Sequence, residues 1–339
     1  MSFRSALAAR SSAFTDDFFS GVADGDALSA QRAGVRNWAP PGFGASSPAT
    51  PGVTALPSLP ADLTVPASKQ TVVVLDTGIS SAVGNLLYQY DFYSNDSNAG
   101  SSATHGSIVA SQVLAADSDA NIIMLKVAAD NSDTISLSAV DTALDWVAKY
   151  ASVLNIAAVN LSFGASTAVN RETLSTLSDE FTTLDGLDVA VVVAAGNSGV
   201  KNGVSALASD SHVIAVSASD GNGNFASFSN RDADLTDLVA DGVDIDSVDG
   251  EVSGTSFSAP WVAGAMAEVK GAFYSAYGRE LTVDEALLLL QSTGKAMNLT
   301  GEVPGSSSQA GQGYVELDLA SALSAIQDVA ELKLIGVSV

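Results

Sequence analysis

The chain has 339 residues, 47% hydrophobic and only 15% charged. That is enough for one large domain with a sizeable core plus an extension, and too apolar for a chain disordered throughout. Its 38 acidic and 14 basic side chains give a net charge of −24, which argues against nucleic acid or an anionic membrane as partner, since both need clustered Lys and Arg.

There is no cysteine, and the only histidines are His105 and His212. Disulfides, thiolate catalysis, Cys-ligated zinc and a His-rich metal site are thereby excluded. Most of the nine prolines fall between Pro40 and Pro66, so residues 1–68 read as an Ala/Ser/Pro-rich extension, a linker or wrapping arm, with a short helix expected over 11–19. No apolar run of signal-peptide or membrane-spanning length is visible. Acidity and absent cysteine suit export by a route without a visible signal peptide, with the cytoplasm as the alternative.

From Thr71 the pattern changes. Thr71-Val-Val-Val-Leu75 is wholly apolar after its first residue, as is expected of a parallel strand covered on both faces, and it ends at Asp76-Thr77-Gly78. Further apolar strands are expected at 122–127, 157–161, 189–194 and 213–216. Helices are expected over 136–150, with Val140, Leu144, Val147 and Ala148 on one stripe, and over 171–184. Strand and helix in alternation imply right-handed crossovers and a parallel sheet between helical layers. Beyond these, 283–291 reads as helical, 301–313 as a Gly/Ser/Gln loop, and a last helix starts near Asp318. The domain so outlined covers 69–330, followed by a C-terminal tail over 331–339.

Ligands bind beyond the carboxyl ends of the strands in such sheets. Asp76 lies at one such end, where a lone Asp is often only a cap or turn former. His105 opens a run of small residues, and a lone histidine is more often structural than catalytic. Asn197 follows Val-Val-Val-Ala-Ala-Gly, and Asn-Ser-Gly by itself reads as a turn. Ser256 follows Gly254-Thr255 and leads a helix with Ala259, Ala263, Gly264 and Ala267 at helical spacing; alone it is an N-cap or a nucleophile. Together the four suit acyl transfer: Asp76 orients His105, His105 takes the proton of Ser256, and the Asn197 amide and Ser256 N–H stabilise the oxyanion.

Asp-Thr-Gly, His-Gly-Ser, Ala-Ala-Gly-Asn and Gly-Thr-Ser-Phe-Ser-Ala-Pro, in this order, resemble the motifs of the subtilases, the subtilisin-like serine peptidases. The intervals are 105 − 76 = 29, 197 − 105 = 92 and 256 − 197 = 59 residues, and the resemblance covers about 71–319. It implies a three-layer α/β/α fold with a mainly parallel central sheet and a serine endopeptidase with Asp76, His105 and Ser256 as triad and Asn197 in the oxyanion hole. Carried over by resemblance, Leu161, Ser162, Phe163 and Gly164 form one wall of a substrate pocket and Ala194, Ala195 and Gly196 the other. Ala128 and Ala129 form a second substrate-binding edge, so that polypeptide substrates bind as an added strand.

The chemistry implied needs no cofactor and assigns no metal ligand. Structural calcium stays open but unassigned: Asp220-Gly-Asn-Gly-Asn224 looks like half of a calcium loop, and reads better as a hairpin turn. A monomer is expected. The chain departs from the family at Ala240-Asp-Gly242, where Ala-Pro-Gly is common, and at Trp261, where many members have His. The extension does not resemble the family's folded inhibitory propeptide. Two alternatives are a non-catalytic or autoinhibited peptide-binding module on the same scaffold and a maturation peptidase with one substrate. His212 reads as a surface residue.

Overall fold

Each apolar run expected as a strand forms one with both faces covered. The structure is a computed structural model that describes residues 36–37, 56–130, 132, 134–164, 171–297 and 313–338. The helix expected over 11–19 and nearly all of the 301–313 loop lie outside the described residues.

In chain order the elements are β1 (Arg36–Asn37), β2 (Thr71–Asp76), β3 (Leu86–Asp91), α1 (His105–Ala116), β4 (Asn121–Lys126), α2 (Leu137–Tyr150), β5 (Ile156–Leu161), α3 (Arg171–Gly186), β6 (Ala190–Ala194) and β7 (Val213–Ser219). They continue as β8 (Leu238–Asp241), β9 (Ile245–Ser247), β10 (Gly250–Ser253), α4 (Thr255–Tyr277), α5 (Val283–Thr293), β11 (Lys295–Ala296), β12 (Val315–Glu316), α6 (Leu319–Ile326) and α7 (Val329–Leu334). Nine strands form one sheet in the order β11-β12-β8-β7-β6-β5-β2-β4-β3. Only β11 runs antiparallel to its neighbour.

Alternation along the strands sorts the core into two layers. Val72, Val74, Ile122, Met124, Val192 and Ile214 face α1, α4, α5, α6 and α7. Val73, Leu75, Ile123, Leu125, Val191 and Val193 face α2 and α3. Asp76, two residues on from Val74, therefore projects toward the layer that carries α1 and α4. The sheet also reverses direction at β2, which has β4 on one side and β5 on the other, and such reversals open crevices at the carboxyl ends. The fold is the expected three-layer arrangement.

Two features differ from expectation, and a third chooses between the linker and the wrapping arm. β3 was not anticipated, because Leu-Leu-Tyr-Gln-Tyr-Asp is a partly exposed edge strand with no apolar run. Of the tail expected over 331–339, residues 331–338 pack on the domain: the last helix runs to Leu334, and Leu332 and Val337 are buried in the core. Residues 56–65 pack on α2, where Trp146 Nε1 and the Tyr150 hydroxyl both donate to the Pro57 carbonyl, at 2.9 and 3.2 Å, and Leu56, Leu59, Leu63 and Val65 lie against the core. That part of the arm wraps the domain. Among the described residues no helix is long and apolar enough to cross a membrane.

The small residues of α4 let it pack on the backbone of α1. A Cβ on Gly264 would come within 2.5 Å of the Val113 carbonyl and 2.8 Å of Ala116 Cβ. One turn on, Glu268 of α4 meets Asp117, which ends α1 and accepts N–H bonds from Asp119 and Ala120 at 2.9 and 3.0 Å. The two carboxyl groups are hydrogen-bonded to each other, and burial first, then the Asp117 charge, pushes Glu268 up from 4.5 to about 7. Asp119 adds further negative charge. The pair shares a proton, and its titration belongs to both members.

The raised carboxyl stabilises the fold in full below the unfolded value of 4.5 and loses that contribution as pH climbs through about 7. The thermal midpoint of the wild type should therefore fall between pH 5 and pH 8 more steeply than that of Glu268→Gln, whose amide still donates to Asp117 but carries no proton to lose. Equal slopes in the two proteins would show that the pair does not control the dependence.

Candidate active site

Asp76 ends β2 and His105 starts α1, and the short path between these elements is set by glycine. Gly78 has φ +103°, in the left-handed region, and any Cβ there would collide with the Ala99 carbonyl. A Cβ on Gly106 would strike the Gly78 carbonyl, so the glycines after Asp76 and His105 allow the two backbones to touch. The Thr77 hydroxyl accepts from the Gly106 N–H at 3.3 Å across the same contact.

The result is a fully buried pair. His105 Nδ1 lies 2.7 Å from Asp76 Oδ1, with both side chains 0% exposed, and the same oxygen accepts the Thr77 N–H at 2.7 Å. An ionised carboxylate can only accept, so the proton of the neutral imidazole sits on Nδ1 and Nε2 is left as the basic nitrogen. The His105 ring packs on Phe257, with centroids 5.8 Å apart, which brings the histidine to the first turn of α4.

Ser256 is the second residue of α4, among N–H groups that have no partner within the helix. Its carbonyl is also released from the ladder, because the residue four positions on is Pro260, which has no N–H to give. Ser162 fills that vacancy: its hydroxyl donates to the Ser256 carbonyl at 2.7 Å and is itself held by Asn160 Nδ2 at 2.8 Å. In return the Ser256 hydroxyl donates to the Ser162 carbonyl at 3.1 Å. The nucleophile candidate is thus clasped to the end of β5 through both its backbone and its side chain.

Asn197 follows β6, and Thr255 aims it. The carboxamide oxygen accepts the Thr255 N–H at 2.9 Å and its hydroxyl at 2.8 Å, while Thr255 Oγ1 accepts the Gly196 N–H at 3.1 Å. With the oxygen fixed by two donors, the Asn197 NH₂ is directed away from Thr255, on the Gly254 side, where a Cβ would stand 3.1 Å from Nδ2. Thr255 was not singled out from the sequence. The signal available was its place inside Gly-Thr-Ser, but its effect depends on a strand end 58 residues away.

The expected pocket walls divide. Ser162 and Gly164 lie at the end of β5 beside Ser256, and Gly164 touches Ser205, which would stand 2.9 Å from a Cβ there. Leu161 and Phe163, both 0% exposed, point instead into the core layer of α2 and α3, among Leu177 and Phe181, so neither side chain forms a wall. The reason is strand alternation, which sends every second residue to the far face. Ala194, Ala195 and Gly196 are buried, and their backbone groups are engaged internally: Ala194 O by Ser205, Ala195 O by Ser205 and Asn230, and Gly196 O by Asn230. They can contribute shape but not a free strand edge. Ala128 is buried in a bridge with Ile135, and Ala129 is partly exposed.

His212 lies apart from this cluster, 3.0 Å from Asp210 and partly exposed. In the Asp220 loop, the carboxylate accepts from the Asn222 and Asn224 N–H groups and from Asn224 Nδ2, and the loop closes as a turn. Asp91 holds the buried Lys126 ammonium at 2.6 Å. Among the described residues no group of three or more His, Asp or Glu is placed to hold a metal ion.

A family model described as the subtilase family matches residues 67–313. Subtilisin Savinase of Lederbergia lenta is 32% identical over 213 residues, covering 59% of this chain and 75% of that protein. Several other curated relatives match over only 53% of their own length. Among solved structures, a cold-adapted subtilisin-like serine proteinase superposes with TM-score 0.56 at 26% identity, over 76% of this chain and 93% of that one. A lanthipeptide protease superposes with TM-score 0.63 at 18% identity, over 76% and 87%, a likeness of fold alone.

Proposed function

The chain belongs to the subtilase family of serine peptidases, and from that premise we propose that it cleaves polypeptides through an acyl-enzyme on Ser256. The observation that carries the reading is the buried Asp76–His105 pair at 2.7 Å on the sheet face where Ser256 opens α4. For the attack the Ser256 hydroxyl must exchange its bond to the Ser162 carbonyl for one to the histidine base. His105 Nε2 takes the hydroxyl proton as Oγ attacks the substrate carbonyl. Asp76 stabilises the imidazolium, and the proton then passes to the leaving amine.

The tetrahedral oxyanion is held by the Ser256 N–H and the Asn197 NH₂, which Thr255 ties to the same helix end. Water, activated by the same histidine, then releases the acyl group. Side chains of this chain fill the base, orienting and oxyanion roles. Substrate residues preceding the cut would lie as a strand along Ser162–Gly164 and the edge at Ala128–Ala129.

The test is covalent. A fluorophosphonate probe should label the folded protein, and peptide mapping should place the label on Ser256. Label at another residue, or none on a protein shown to be folded, would sink the assignment.

A further inference from the structure

β10 leads straight into the nucleophile, since Gly250–Ser253 is followed by Gly254, Thr255 and Ser256. One edge of β10 is taken by β9, antiparallel, from Gly250↔Ser247 to Val252↔Ile245. The other edge is taken by β1 from the N-terminal arm, in parallel register, with Arg36 opposite Val252 and Asn37 opposite Ser253. Ser253 is three positions before Ser256, so the arm's backbone is laid directly beside the catalytic turn.

The side of the scissile bond that this edge serves follows from the proton path. The leaving amine takes its proton from His105, so the substrate residues after the cut depart on the histidine's side of Ser256. β10 belongs to that side. Val252 shares an apolar cluster with Ile108 of α1, with Ile245 and with Phe257, whose ring lies against that of His105. Thr104, the residue before His105, donates its hydroxyl to Asp249 in the turn between β9 and β10. The wall for residues before the cut comes from elsewhere, the ends of β5 and β6, joined to Ser256 through Ser162.

Resting on the peptidase reading above, we infer that the β1 segment of this chain is a built-in occupant of the leaving-group side of the site, competing with substrate residues that follow the cut and not with those that precede it. Strand addition uses main-chain bonds and accepts most sequences, so β1 and a substrate are rivals for one edge. A tethered segment acts at an effective concentration of about millimolar, above that of most polypeptide substrates. The arm then works as a filter on the leaving group. A substrate with a compact leaving group passes beneath it, while a polypeptide must first displace it.

The experiment compares the full chain with its double variant Arg36→Pro, Asn37→Pro, in which the N–H that β1 can give to β10 is removed, whichever of the two residues supplies it, and φ is fixed near −65°. Each is assayed on an N-acyl tetrapeptide p-nitroanilide, which has nothing beyond its aromatic amine after the cut, and on unfolded casein. The expected result is a rise of about tenfold or more in kcat/KM on casein, with the p-nitroanilide rate unchanged within about twofold. Equal rises on both substrates, or no change on either, would overturn the inference.

Hydrogen exchange of peptides covering 250–253 is measured in the same proteins. It should be faster in the variant, and unchanged exchange would also overturn the inference. This readout needs no turnover. If neither protein cleaves either substrate and neither takes the fluorophosphonate label, the peptidase reading fails, and the exchange result alone decides whether β1 occupies β10.

Discussion

Ser256→Ala should fold normally and lose about 10⁶-fold in kcat on a peptide substrate, a size borrowed from removal of the nucleophile in subtilisin rather than derived from this geometry. The physical content lies in what remains. The proposed oxyanion donors are a backbone N–H and the Asn197 side chain held by Thr255, and neither needs the Ser256 hydroxyl. A residual rate about 10³-fold above water should therefore survive. Among the described residues the hydrogen bond deleted is the 3.1 Å one to the Ser162 carbonyl, while the reverse bond from Ser162 to the Ser256 carbonyl is kept. The thermal midpoint should move by no more than about a few degrees. Steady-state rates and a melting curve check both parts, and a loss below about 100-fold would rule out Ser256 as nucleophile.

Asp76→Asn should cost about 10⁴-fold in kcat near neutral pH with KM little changed, again a magnitude taken from serine peptidases at large. Two causes act together. The negative charge that stabilises the forming imidazolium is gone, and the neutral amide can no longer dictate the tautomer. Here the second cause is sharpened by the surroundings. Asp76 Oδ1 already serves the Thr77 N–H and His105 Nδ1, and Oδ2 is buried with no hydrogen-bond partner among the described residues. With the amide oxygen at Oδ1, the NH₂ is buried without an acceptor. With the groups exchanged, the NH₂ faces the Thr77 donor and drives the histidine proton to Nε2, where it blocks catalysis. Either arrangement is costly. Comparable losses in kcat and kcat/KM would identify an interaction made in the transition state, and a loss below about tenfold would contradict the orienting role.

The parts of this molecule legible in its sequence are those decided over a few residues. β2, β4, β5, β6 and β7 are built on apolar runs, and the motif order singles out Asp76, His105, Asn197 and Ser256 as candidates for the site. What was not legible depends on partners distant in the chain. Thr255 reads as one letter of a motif until Asn197 is brought to it, and Ser162 reads as a pocket wall until the proline at 260 leaves the Ser256 carbonyl open. The side chains of Leu161 and Phe163 face the far core layer, as alternation along a strand requires, so that only their main chain is open to the role the resemblance implies. β1, β8, β9 and β10 are too short or too polar to announce themselves, and the Asp117–Glu268 pair exists only because Gly264 lets two helices approach.

Ser162 has a consequence for anyone who would retune this site. In the function proposed above it stands on the wall that a substrate would fill, and it is also the hook that holds Ser256 through the gap left by Pro260. Recognition and reactivity therefore share one part. A replacement at 162 chosen to widen or narrow the groove also loosens the mount of the nucleophile. Selectivity at that position cannot be dialled independently of speed, whereas Gly164 and Ser205, which meet further along the same wall, are free of that double duty and are the better places to begin.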